Sequence, residues 1–548
     1  MSIENLYGVC YNTQEVVMRY TIGIDFGTLS ARAVIIDEFG KELADAVKEY
    51  AHGVIDCTAC GMDLKDTSAL QHPDDYVEAL SAVTKAVLAQ SGISPSDIVG
   101  LGIDFTSSTV LPVDENDLPV CRRSGFEKNP HAYVKLWKHH GAEAYADEME
   151  EIAKSLGERW LNRYGAKLSC EFALPKIVEV LKEAPEVWAV TSRFVEAGDW
   201  IVSLLTGRCV HSAIFAGYKW CWDKADGYPS NDFFKAVDEA LDGVVGTKIP
   251  DTVESGTTVG ALCKTGAELT GLMEGTPISI PVIDAHSALP ALGVVEEGDM
   301  MLIVGTSGCQ ILNSRKKVDI EGIFGCVYDS IVPGLYTYEA GQSAVGDIFE
   351  WSVRNFLSES YREEAKKRGI NLHKLLREKA ERLKVGESGL IALDWLNGNR
   401  SILQNPNLKG AIFGLTLNTK PEEVYRAFIE ATAFGVRVIV DKFKEAGIDI
   451  KRIIAGGGIP VKDGMLMQIY SEVLNSPIAV APTAQAGAVG SAIFAMVAGG
   501  VYPDVVTASR KTSKKPAKTY TPNPDNVKAY DVLYGKYKAL HDYFGKAR

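Results

Sequence analysis

From residue 19 onward, short apolar runs bounded by polar turns alternate with longer stretches of helical period. The first run, Arg19 to Asp25, ends at Gly27, and a second run, Ala33 to Ile36, follows Arg32; together they predict a hairpin with polar residues at its tip. A helix is expected over Asp74 to Gln90, then a strand over Ile98 to Ile103, a turn, and a strand over Val110 to Val113. This alternation predicts an α/β fold. Glu143 to Glu183 carries helical patterns with few strand signals and reads as a helical elaboration on the sheet.

The same theme restarts in the second half. Pro277 to Ile283 and Met301 to Val304 read as strands, the latter running into a polar glycine turn at Gly305 to Gly308. Val424 to Ala446 reads as a helix, Ile453 to Ala455 as a buried strand, and Met465 to Leu474 as a helix after a glycine turn. Ser509 to Pro524, rich in Lys, Thr and Pro, is expected to be an exposed connection to a last helix ending near Gly545. The repeated strand-turn-strand pattern predicts two related α/β domains facing each other, with a boundary near residues 255 to 275. The chain accordingly divides into an extension (1–18), a first domain (19–270) and a second domain (271–548).

Composition narrows the function classes. At 548 residues the chain exceeds one ordinary core, and 46% hydrophobic with 23% charged residues is the balance of a folded soluble protein. A net charge of -14 and the lack of a basic run with interleaved aromatics argue against nucleic-acid partners. With no long apolar window and no signal-peptide pattern, a cytoplasmic protein without a membrane span is expected. The ten cysteines are scattered; Cys57 and Cys60 form the one CxxC, read as loop chemistry rather than zinc.

Four segments carry candidate chemistry. Asp25-Phe-Gly27-Thr28 sits on a hairpin turn, where glycine lets backbone N–H groups approach phosphate oxygens, Thr28 adds a hydroxyl, and Asp25 suits Mg²⁺; a plain β-turn is the alternative. Gly305-Thr306-Ser307-Gly308 repeats that logic after another strand. Ala455-Gly-Gly457-Gly458 follows a buried strand, with Lys462 and Asp463 at its rim; it is neither a P-loop nor a dinucleotide fingerprint. Asp284 closes an apolar strand, where it reads either as a general base or as a cap on the following helix.

In order and spacing these segments resemble the FGGY carbohydrate kinases, over about Thr21 to Asp504. Two further stretches carry the likeness: Lys135-Leu-Trp137-Lys-His139, and Lys409 to Leu415 followed by the helix with Glu423, Ala427 and Glu430. The resemblance implies two actin-like ATPase (ribonuclease H-like) domains with a catalytic cleft between them, and ATP with Mg²⁺ as cofactors. It makes Asp284 the catalytic base and Asp25 the metal ligand. Gly27, Thr28, Gly305, Thr306, Gly346, Gly457, Gly458, Lys462 and Asp463 are then expected at the nucleotide.

Asn129 to His140, Ala216 to Trp220, Gly334 to Asp347 and Gly389 to Gly398 look like the ketopentose branch of the family. The implied acceptor is L-ribulose, in L-arabinose catabolism, with Ser107, Glu171, Lys219, Asp284 and Glu339 as sugar contacts. Lys219 and Glu339 read equally well as a surface charge and a helix-start acid, while His286 and Trp137 read as core. Ser107-Ser108 stands where glycerol kinases carry Arg-Glu, which argues against glycerol. The rival readings are a sister kinase for D-ribulose, ribitol or xylulose, and an actin-fold ATPase with no sugar substrate. A homodimer is the default expectation.

Overall fold

Each half of the chain builds a seven-stranded sheet on one plan. In the first, Tyr20–Phe26, Ser30–Asp37 and Glu42–Glu49 form an antiparallel meander, and Ile98–Phe105 lies parallel to Tyr20–Phe26 on its other side. Pro277–Ser279 and Val282–Ile283 extend the parallel side along Ile98–Phe105, and Thr258–Ala261 closes the edge. In the second, Asp299–Val304, Gly308–Ser314, Tyr336–Gln342 and Gly325–Tyr328 form the meander. Arg452–Gly456 and Ile478–Val480 continue that sheet in parallel beyond Asp299–Val304. This is the repeated α/β plan that the sequence predicts. It was obtained as a computed structural model, which describes residues 18–56, 62–482 and 485–546; the extension up to residue 17 and the Cys57 to Cys60 pair lie outside them.

The first sheet takes in strands up to Ile283, so the division at residue 270 cuts through it. Late chain also returns to it: the apolar helix Ala486–Ala498 lies directly on its face. Gly23, Gly100 and Gly102 make that approach possible. A Cβ on them would come within 1.9, 2.3 and 1.9 Å of the helix carbonyls of Ala488, Ala495 and Ser491.

Val110–Val113 leaves the main sheet for a small one with Leu70–Gln71, Val134–Lys135 and Arg193–Glu196. The helical elaboration is two helices, Glu143–Leu156 and Ala173–Glu183, joined through a short 3-10 segment at Arg159–Tyr164. Its core around Trp160, Phe172 and Phe233 also takes in Phe324 from the second half. Ser509 to Pro524 is mostly exposed and leads to the last helix, Pro524–Lys546, as expected, but it is not an irregular connection throughout. Ser509 is buried in the helix Val505–Thr512, and Lys518–Tyr520 pairs with Ile478–Val480, so apolar contacts of Val505, Ala508 and Tyr520 override the polar composition.

The halves meet where the helix Ala213–Lys219 packs on the strand Gly325–Tyr328 and the Tyr218 hydroxyl donates to Thr337 O at 2.8 Å. The C-terminal ends of the central parallel strands of each sheet are the usual ligand position in parallel α/β sheets. Among the described residues no helix is long and apolar enough to cross a membrane.

Candidate active site

Three carboxyls stand on neighbouring strand ends of the first sheet. Parallel register puts Asp25 beside Asp104, and Val282 beside Asp104 brings Asp284 to the next strand end. Burial raises both Asp25 and Asp104, and the Asp25 charge pushes Asp104 further up. Two carboxyls placed side by side disfavour ionising both at once, and a cation between them would relieve that. Asp104 Oδ2 accepts from Ser491 Oγ at 2.7 Å, while its Oδ1 is buried with no partner. That orphaned oxygen beside Asp25 fits a hard divalent cation, which takes carboxylate oxygens.

Sequence reading missed Asp104, although the signal is present: Gly23-Ile-Asp25-Phe26 recurs as Gly102-Ile-Asp104-Phe105.

Asp284 opens the helix Asp284–Ala291, and its Oδ1 accepts the Ala285 N–H at 2.7 Å, so it is both a helix-start acid and a cleft carboxylate. Burial first, then the charge of Asp25, pushes its carboxyl up to about 7. A carboxylate with that affinity for a proton is matched to general-base work near neutral pH.

Facing it is a buried ionic cluster drawn from both halves. Glu339, on the second sheet, meets Lys219 Nζ at 3.4 Å, His286 Nε2 at 3.0 Å and Arg400 at 3.3 Å. Despite the desolvation that opposes it, Lys219, His286 and Arg400 hold the Glu339 carboxyl far below its usual range. Lys219 and Glu339 are therefore neither a surface charge nor a helix-start acid, since both side chains are less than one-tenth exposed. His286 is buried as expected, yet it is bonded into this cluster and packs edge-on against Tyr218 at 4.3 Å.

Arg400 is a second residue that sequence reading missed; it follows the Gly389 to Gly398 stretch with no spacing signal of its own. Its guanidinium lies over Phe324 at 4.9 Å, and its Nε has no partner. Glu171, half-buried, accepts from His140 Nε2 at 3.3 Å and is pulled down by that bond and by Arg400. Ser107 sits half-buried on the turn after Asp104. Glu171, Lys219, Asp284, Arg400 and Glu339 are thus within electrostatic reach of one another.

The phosphate-type turns close the other side. In the first hairpin the Gly27 N–H bonds Ser30 O at 3.0 Å, and Thr28 Oγ1 accepts from Trp137 Nε1 at 3.1 Å. Trp137 is therefore half-buried against this turn rather than in a core. In the second hairpin, Gly346 N–H donates to Gly305 O at 2.9 Å and Val345 N–H to Thr306 O at 2.8 Å, which sets the start of the helix Gly346–Phe356 against the turn.

Ile303 pairs with Gly456, so Gly457 and Gly458 emerge beside the same turn. Gly457 has φ 99° and packs where a Cβ would meet Val304 O at 2.8 Å, whereas Gly458 faces open space. Asp463 is occupied otherwise: it is buried, caps the helix Gly464–Leu474 through Leu466 N–H at 3.0 Å, and pairs with Arg377 at 3.4 Å. Lys462 is exposed and lines a neighbouring cavity with Arg377 and Tyr520.

Residues 20–291 match the profile of the FGGY family of carbohydrate kinases, N-terminal domain, and residues 300–499 match that of the C-terminal domain. The chain is 46% identical over 535 residues to the ribulokinase of Geobacillus thermodenitrificans (strain NG80-2), covering 96% of this chain and 95% of the relative. It is 47% identical over 536 residues to the ribulokinase of Halalkalibacterium halodurans, with the same coverage.

Among solved structures it resembles a xylulose kinase from Rhodospirillum rubrum, with TM-score 0.79 and 22% identity over 96% of this chain and 100% of that one. A gluconate kinase from Lactobacillus acidophilus superposes with TM-score 0.80 at 18% identity, over 96% of this chain and 99% of that one. At such identities the structural likeness speaks for the fold alone.

Proposed function

The chain belongs to the FGGY family of carbohydrate kinases and is a phosphotransferase acting on a sugar; from that premise we propose that it phosphorylates L-ribulose to L-ribulose 5-phosphate with ATP. In this reading it is the cytoplasmic kinase step of L-arabinose catabolism. The observation that carries the mechanism is Asp284, a half-buried carboxyl pushed up to about 7 by desolvation at the junction of the two halves. The similarity to ribulokinases supports ribulose as the acceptor. The L-configuration rests on the likeness of the Asn129 to His140 and Gly334 to Asp347 stretches to that branch.

The sugar would lie among Ser107, Glu171, Lys219, Glu339 and Arg400, whose charges hold its hydroxyls and leave the terminal one at Asp284. Asp284 then takes the proton of that hydroxyl as the oxygen attacks the γ-phosphorus of ATP. The bond from the γ-phosphorus to its bridging oxygen breaks, and ADP leaves. Thr28 and Thr306 would donate to the phosphate oxygens from the two hairpins, with Gly27, Gly305, Gly346, Gly457 and Gly458 clearing space for the phosphates and adenosine. Mg²⁺, when bound, supplies positive charge to those oxygens, and Asp25 with Asp104 would hold it. Bringing the halves together would exclude water from the base.

The test is ADP release with Mg-ATP across L-ribulose, D-ribulose, ribitol, L- and D-xylulose and glycerol, with Asp284→Asn in parallel. Strong stimulation by L-ribulose, falling by about 10²-fold or more in the variant, is the expected result. ATP hydrolysis indifferent to every sugar would overturn the reading in favour of an actin-fold ATPase.

A further inference from the structure

Lys176 lies wholly buried in the helix Ala173–Glu183, and its ammonium spends its hydrogen bonds on neutral oxygens. It donates to Ser108 O at 2.6 Å, Ser108 Oγ at 3.2 Å and Leu136 O at 2.9 Å. Desolvation pulls the Lys176 amine down to about 7, with Glu196 and Glu171 opposing the fall, so these three bonds are what its burial gains in return. They join three segments of the cleft. Ser108 Oγ passes the chain on to Glu171 O, and Leu136 precedes Trp137, whose Nε1 donates to Thr28 in the first hairpin.

The turn thus held is itself strained. Ser108 has φ 55°, in the left-handed region that non-glycine residues rarely occupy. The Ser108 and Thr109 N–H groups are gathered by the buried Glu196 carboxylate at 3.1 and 2.9 Å, and the Trp220 Nε1–H joins them at 2.7 Å. The buried Glu196 carboxyl on the N–H side and the buried Lys176 amine on the carbonyl side pin the turn from both faces. Ser107, half-buried beside the end of the Asp104 strand, is carried by it.

We propose that Lys176 is a positioning residue that locks the Ser107 turn, Glu171 and the Trp137 segment into one register, and so sets the affinity of the cleft for its sugar acceptor. This rests on the sugar-kinase reading above. Lys176 touches no reacting atom; it acts through Ser108, Glu171 and Leu136.

Acceptor kinetics at saturating Mg-ATP separate this role from a merely structural one. Wild type, Lys176→Met and Ser108→Ala are compared with L-ribulose as the varied substrate. Loss of a charge-assisted hydrogen-bond hub predicts a rise in KM on the order of tenfold for Lys176→Met. Ser108→Ala, which removes the hydroxyl between Lys176 and Glu171 O but keeps the Lys176 bonds to Ser108 O and Leu136 O, should give a smaller rise in the same direction. A residue needed only for folding would lower the active fraction, so that kcat falls while KM holds.

An unmoved KM in folded Lys176→Met overturns the proposal, and so does an unmoved KM in Ser108→Ala if the first variant does not fold. In Lys176→Ala, added propylamine should restore KM while 1-propanol should not; equal rescue by both would show that volume matters rather than the ammonium. The wild-type arm keeps the two readings apart. No sugar-stimulated ADP release there defeats the L-ribulose reading itself, whereas a normal wild type with unmoved variants defeats only the role of Lys176.

Discussion

Replacing Glu339 with Gln tests the centre of the cleft, because one carboxylate there serves Lys219, His286 and Arg400 together. Gln keeps the shape and removes the charge, leaving the Lys219 ammonium buried without its partner. Breaking a buried ion pair from one side costs about 3–5 kcal/mol. The low end applies, since the Arg400 side chain keeps 23% of its exposure and also feels Glu171. At about 2–4 °C per kcal/mol for a domain of 150–250 residues, about 3 kcal/mol is a fall of about 6–12 °C in Tm.

The sign with pH follows from the depressed Glu339 carboxyl. Its stabilisation is complete above the unfolded value near 4.5 and is lost as pH falls through the folded one, so the gap between the two proteins should narrow in acid. Catalysis gives an independent reading. The Glu339 charge pushes Asp284 up while Lys219 pulls it down, so removing the first moves the acid limb of sugar-dependent turnover to lower pH. Calorimetry at pH 7.5 and in mild acid, with ADP release across pH, reports both. A Tm within about 2 °C of wild type together with an unmoved limb would refute the cluster as described.

Three further outcomes are expected. Asp104→Asn should raise Tm in the absence of magnesium, because it removes a buried carboxyl that desolvation and Asp25 disfavour, yet it should lower magnesium-dependent turnover; thermal scans with and without Mg²⁺ check both. In the wild type, turnover should rise with pH and level off above about 7, the value to which the Asp284 carboxyl is pushed, and a bound cation would draw that limb lower; a pH profile of kcat/KM for the sugar measures it. Gly346→Ala places a Cβ 2.8 Å from Gly305 O, so the second hairpin must shift and KM for ATP should rise more than KM for the sugar, as bisubstrate kinetics would report.

The sequence by itself determined the strand-turn-strand pattern of both halves and the two glycine hairpins, because local chemistry writes these directly; Asp284 locally reads also as a helix cap, and its role as base is implied only by the family resemblance. Apolar runs of strand length end in glycine and a short polar residue, and Gly23 to Thr28 and Val304 to Gly308 read as hairpins without tertiary help. What tertiary structure decided is which polar side chains are buried together. Lys219, Glu339 and Arg400 come from three distant segments, and nothing within any one segment says that its charge will face an opposite charge in the dark. Trp137 reads as core from the sequence for the same reason, since an aromatic in a sequence has no direction until Thr28 stands beside it.

The domain boundary behaves likewise. Helix Ala486–Ala498 belongs with strands laid down near the start of the chain, because glycines at 23, 100 and 102 clear a seat for it. Periodicity reports how a segment faces a core, and only the folded chain reports whose core it is.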